Sequence, residues 1–176
     1  ISFILFFAVF IVKTTNELSR SRERILESEN VIDVTNLIST KFLISSNDSL
    51  QKGWIQKSYD DSDWVQSKIP SNDLVKQKEY SIGKYAYYRI KVPPQAFSEL
   101  PNLKNETSLA LQYVMFSYVD IFVNGTFIKS TTPKSMSEYL QIVPVPFGEE
   151  SIIAIRGHIL DPIDTGIDHR VEIVLG

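Results

Sequence analysis

Tyr118-Val119-Asp120-Ile121-Phe122-Val123-Asn124-Gly125-Thr126-Phe127-Ile128 reads as a β-hairpin. A run of strand composition leads into Asn-Gly, the pair that best supplies two successive positive-φ positions, and strand composition then resumes. Upstream, Tyr85-Ala86-Tyr87-Tyr88-Arg89-Ile90-Lys91-Val92 alternates. Tyr88, Ile90 and Val92 fall on one face, and Tyr87, Arg89 and Lys91 on the other. Pro93-Pro94 ends that run, because proline brings no N–H to a ladder. Earlier still, Gly53-Trp54 and Tyr59-Asp60-Asp61-Ser62-Asp63-Trp64 read as an acidic turn that delivers a Trp onto a core face.

The same criteria predict strands near Val31 to Val34, Lys41 to Ile44, Trp64 to Ile69, Ser108 to Met115, Tyr139 to Val143, Ser151 to His158 and His169 to Leu175. Many short strands, closely spaced, make an all-β sandwich. Its expected core is Trp64, Tyr88, Ile90, Leu111, Ile121, Val123, Ile153 and Ile155.

In order and spacing these motifs resemble the galactose-binding-like jelly-roll domain, in two settings. One is the non-catalytic sugar-binding domain of family-2 glycoside hydrolases. The other is the extracytoplasmic sensor of membrane-bound bacterial signalling proteins. The resemblance runs from Val31 to Gly176. It takes in Ser151-Ile152-Ile153-Ala154-Ile155-Arg156 as the penultimate strand and Thr165-Gly166-Ile167 as the turn before the last. It implies that Trp64 packs in the core, and that any hydrolytic chemistry would come from a separate barrel domain.

Composition is compatible with one such domain plus an N-terminal segment. At 176 residues and 43% hydrophobic, the chain can bury one substantial core. A formal charge of -3, with no Lys/Arg run among aromatics, gives no footprint for nucleic acid. The lack of cysteine excludes a disulfide framework, a thiolate metal site and a cysteine nucleophile. No phosphate loop, Gly-x-Ser-x-Gly elbow or paired-His motif is present, so the chain reads as non-catalytic and without a cofactor.

Residues 1–12, Ile1 to Val12, are apolar except for Ser2. Twelve residues make only about 18 Å of helix against a hydrocarbon core of roughly 30 Å, so the run reads as a truncated membrane anchor. Lys13, Arg20, Arg22 and Arg24 follow it, which the positive-inside rule would place in the cytoplasm; the outward orientation rests on the resemblance alone. Residues 13–30 read as a polar helical connector. Leu18 and Ile25, seven apart, offer a thin seam for a homodimer, or else the helix is a solvated spacer. The sandwich occupies 31–176.

For a ligand, the candidate residues are Tyr87, Arg89, Arg156, His158, Asp164 and His169. An aromatic ring stacks on a pyranose while guanidinium, imidazole and carboxylate groups bind its hydroxyls. Two alternatives stand beside this reading. Arg89 could instead pair with a carboxylate such as Asp61 and hold the loop on the sheet. His158 and His169, with Asp161 and Asp164 between them, match no metal spacing and could be a plain surface loop. Asp60, Asp61 and Asp63 lack the Gly and distal Glu of a calcium loop and are expected to accept backbone N–H bonds, so no metal is assigned.

The sequence therefore leads to an extracytoplasmic ligand-binding sensory domain at a bacterial inner membrane, facing the periplasm or the outside, with a small polar ligand, a saccharide. The alternatives are a non-catalytic sugar-binding accessory domain of a glycoside hydrolase, or a protein-interaction module.

Overall fold

A computed structural model describes residues 31–48, 53–68, 84–98, 107–111, 114–132, 140–159, 166–167 and 171–175. The expected anchor at 1–12, the connector at 13–30, and two of the candidate ligand residues, Asp164 and His169, lie outside them.

Among the described residues, twelve strands are arranged in antiparallel sheets. In chain order they are β1 (Val31–Asp33), β2 (Ser39–Ser45), β3 (Val65–Ser67), β4 (Tyr85–Val92), β5 (Thr107–Leu111), β6 (Val114–Met115), β7 (Tyr118–Val123), β8 (Thr126–Thr131), β9 (Gln141–Val145), β10 (Ser151–His158), β11 (Gly166–Ile167) and β12 (Val171–Leu175). One sheet has the order β3-β2-β4-β10-β7-β8, a second β1-β12-β5-β9, and a two-stranded piece pairs β11 with β6. A 3₁₀ turn, Pro94–Phe97, follows β4 where the two prolines end the ladder.

Strand alternation accounts for the core. Phe42, Tyr88, Ile90, Ile121, Ile153 and Ile155 from the six-stranded sheet meet Leu109, Leu111, Val143, Val145 and Val171 from the four-stranded one in a single buried cluster. The fold is thus an all-β sandwich. Asn124, at φ 50°, and Gly125, at φ 85°, turn the β7–β8 hairpin, as the Asn-Gly pair predicts.

Three features depart from the regular pattern read in the sequence. The strand predicted from Ser108 to Met115 divides into β5 and β6, which join different sheets. The β7–β8 ladder shifts register between Ile121 and Phe122, a bulge that composition does not reveal. Trp64 is buried, but outside the sandwich core. With Trp54, Tyr87 and Ala154 it forms a second cluster on the opposite, outer face of the six-stranded sheet.

Candidate functional site

Odd-numbered residues of β4 project outward from the six-stranded sheet, and strand pairing aligns their neighbours in rows. Lys41 stands beside Arg89, which stands beside Ala154 and then Phe122. Leu43, Tyr87, Arg156 and Asp120 form the next row, and Ser45, Tyr85, His158 and Tyr118 the row after it. Residues 53–64 cross the middle of this face. Trp54 lies against Trp64 with ring centroids 6.5 Å apart, and meets Tyr87 edge-on at 5.1 Å and Phe122 at 5.7 Å.

This covering decides the fate of two candidates. Tyr87 is fully buried, its hydroxyl donates to the Asn47 carbonyl at 2.8 Å, and burial pushes its pKa up to about 12. It presents no ring face to a sugar. Arg89, 3% exposed, donates from Nε to Asp61 Oδ2 at 2.7 Å and from Nη1 to the carbonyls of Trp54 and Gln56. Its role is the alternative one, holding the loop to the sheet. Burial pushes the Asp61 carboxyl up, but hydrogen bonds from Lys41 and Arg89 outweigh it, and the group ends below the ordinary carboxylate range. Asp60 accepts from the Ser62 backbone at 3.0 Å, the turn role expected of this acidic run.

The other two described candidates, Arg156 and His158, stand together on β10, towards the end of the face where Tyr87 and Arg156 bond the carbonyls of Asn47 and Asp48. His158 lies 4.8 Å from Tyr85, ring to ring, and the Arg156 guanidinium is 5.9 Å from the Tyr85 centroid. Arg156 donates from Nε to Asp120 Oδ2 at 2.8 Å, from Nη2 to the same oxygen, and from Nη1 to the Asp48 carbonyl at 2.6 Å. Burial alone would lower the Arg156 pKa, but the bonds and charge of Asp120 raise it. Asp120 also accepts from Ser130, whose hydroxyl accepts in turn from Tyr118 at 3.1 Å. The network fixes Arg156 and Tyr118, leaving Tyr85, His158 and Tyr118 half-buried in one row. Side chains stand roughly perpendicular to a sheet, so this row presents two phenol edges and an imidazole, all able to exchange hydrogen bonds.

Tyr85, Tyr118 and Asp120 were absent from the predicted site. Tyr85 shares its phase with Tyr87 and Arg89, so alternation could have found it. Tyr118 and Asp120 needed the β7–β10 register, which alternation within one strand does not contain.

A concavity of about 330 Å³ lies across the cover at the other end of β4, among Ser39, Lys41, Tyr59, Lys91 and Ile152. Another, of about 640 Å³, runs between the β7–β8 hairpin and the end of β9, past Asn124, Ile128, Pro144 and Phe147, and has no charged lining residue. Among the described residues no group of three or more His, Cys, Asp and Glu is placed to hold a metal ion.

No protein-family model matches the chain, and no curated protein matches it. Solved structures do. A β-glucuronidase from Bacteroides uniformis is 19% identical, over 81% of this chain and 17% of that one, with a TM-score of 0.54. A glycosyl hydrolase family 2 member from Bacteroides cellulosilyticus is 16% identical over 83% and 20%, with a TM-score of 0.58. A β-glucuronidase from Ruminococcus gnavus, in complex with uronic deoxynojirimycin, is 10% identical over 85% and 29%, with a TM-score of 0.60. The chain spans less than a third of each of these proteins. At such identities the likeness is one of fold alone.

Proposed function

We propose that this chain is a non-catalytic, carbohydrate-binding jelly-roll module of the kind carried by family-2 glycoside hydrolases, and that it takes a small saccharide on the row Tyr85, His158 and Tyr118. The observation that carries this reading is the row itself: three half-buried polar rings in register on adjacent strands, buttressed by the Arg156–Asp120 pair. Solved structures that share the fold include glycoside hydrolases, which favours a sugar over other small polar ligands. Isolated sugar sites are weak, so binding near the millimolar range, roughly 4 kcal/mol, is expected.

The test is a screen of mono- and oligosaccharides by chemical-shift perturbation on the labelled full chain, with Tyr85→Ala and His158→Ala as controls. A sugar should move the amides of Tyr85, His158 and Tyr118, and either substitution should abolish the shifts. If no sugar acts there while a protein does, the module is a protein-interaction domain.

A second reading, the membrane-anchored sensor of a bacterial signalling protein with its sandwich outside the cytoplasm, rests on apolar Ile1 to Val12 and on the Leu18–Ile25 spacing of the connector. Among the described residues no helix is long and apolar enough to cross a membrane. Fractionation of the full chain, with cross-linking at Leu18 and Ile25, tests it. Recovery away from membranes, or monomers throughout, would remove the anchor or the dimer respectively.

A further inference from the structure

The outer face of the six-stranded sheet carries a polar concavity far from the tyrosine–histidine row. Tyr85 and Lys91 are six residues apart on β4, about 20 Å at the rise of an extended strand. Residues 53–64 lie between the two ends. This cleft, of about 330 Å³, sits at the small end of ligand-pocket sizes and suits a single ring.

Its chemistry differs from that of the row. Four cations, Lys41, Lys57, Arg89 and Lys91, line it against two carboxylates, Asp61 and Glu150. The carboxylates are committed. Asp61 is shared between Lys41 at 2.9 Å and Arg89 at 2.7 Å, and Glu150 bonds Lys91 at 2.8 Å. Two positive charges are left over on a chain whose formal charge is -3. Lys57 is exposed at the rim and has no ion pair among the described residues. The Tyr59 ring, held by Arg89 at 5.3 Å, and Ile152 supply the less polar walls. A cation surplus converging on a ring-sized cleft with an aromatic wall selects a small ring that bears a carboxylate.

We propose that this cleft is a binding site for an acidic monosaccharide, with Lys57 meeting the carboxylate beside the Lys91–Glu150 pair and Tyr59 lying against the ring. The proposal extends the saccharide reading to a second site, and the two fail separately because they are reported by different amides.

Galacturonate, galactose and inorganic phosphate are titrated into the labelled full chain. Galacturonate should move the amides of Lys57, Tyr59, Lys91 and Glu150 saturably, galactose should leave them in place, and phosphate should bind at least about tenfold more weakly for want of the ring. Lys57→Glu replaces an attraction with a repulsion at the rim, and should weaken galacturonate about tenfold or more. Because Lys57 is exposed and has no ion pair among the described residues, that variant should melt with the wild type. Raised salt should weaken galacturonate as well. Galactose binding as tightly as galacturonate, no response in these amides, or an unchanged affinity in Lys57→Glu would each overturn the proposal. Phosphate matching galacturonate would reduce the cleft to an adventitious anion site.

Discussion

Arg89 Nε lies 2.7 Å from Asp61 Oδ2, and that pair ties the segment carrying both tryptophans to the outside of the six-stranded sheet. The Arg89 side chain is 2% exposed, so its charge has little water to fall back on. Removing the carboxylate by Asp61→Ala strands that charge, and should cost about 3 kcal/mol, at the lower end for a broken buried pair because two carbonyls still accept from Arg89. Urea unfolding measures it. A loss below about 1 kcal/mol would mean that the pair behaves like a surface salt bridge.

The same pair makes stability depend on acid. Hydrogen bonds from Lys41 and Arg89 overcome the effect of burial and hold the Asp61 pKa below 3.8. A carboxyl depressed in the folded state stabilises fully above its unfolded pKa, and that contribution is lost as pH falls through the folded value. The urea midpoint should therefore drop between about pH 5 and about pH 3, and Asp61→Asn should flatten that limb. Asp60 is also lowered, by its bonds from Ser62, but it is fully exposed, and Asp60→Asn should leave the limb in place. Equal effects from the two substitutions would dissociate the acid sensitivity from the Arg89 pair.

Trp64 packs on Trp54 and takes the Tyr59 ring edge-on at 6.0 Å. Trp64→Ala should cost about 3–5 kcal/mol, the range for a buried aromatic cut to Ala. A thermal midpoint within about two degrees of wild type would show that the outer cluster contributes little to the fold.

The sandwich was legible because its signals are local. β4 and β10 have the predicted bounds, and every residue of the expected core is buried, since alternation and turn chemistry act within a few residues of chain. What alternation could not show is that the outer face of β4 is itself covered. Tyr87 and Arg89 have the right phase for a surface platform, yet the loop carrying Trp54 and Trp64 folds back over them, a contact across 35 residues for Arg89 and Trp54. The row Tyr85, His158 and Tyr118 comes from three strands, and the cation cleft gathers residues from Ser39 to Ile152. Register and loop placement, both long-range, decide those sites.

Gly157 shows the cost of that long-range packing within the sandwich. It lies on the inner face of β10, between Ala86 and Val119 in the ladder, and a Cβ built there runs into the ring of Phe116. Its φ is not in the left-handed region, so the demand is for space and not for backbone freedom. Phe116 has little room to give, being 1% exposed and 6.0 Å from the ring of Tyr88. Gly157→Ala should therefore destabilise by about 1–3 kcal/mol through overpacking, although alanine is the better strand residue in the absence of a clash. Phe116→Ala alone should cost about 3–5 kcal/mol. In that background the clash is gone, and adding Gly157→Ala should turn from destabilising to neutral or mildly stabilising, which a double-mutant cycle by urea unfolding reads directly. The same penalty for Gly157→Ala in both backgrounds would locate the constraint in the strand backbone and not in the Phe116 ring.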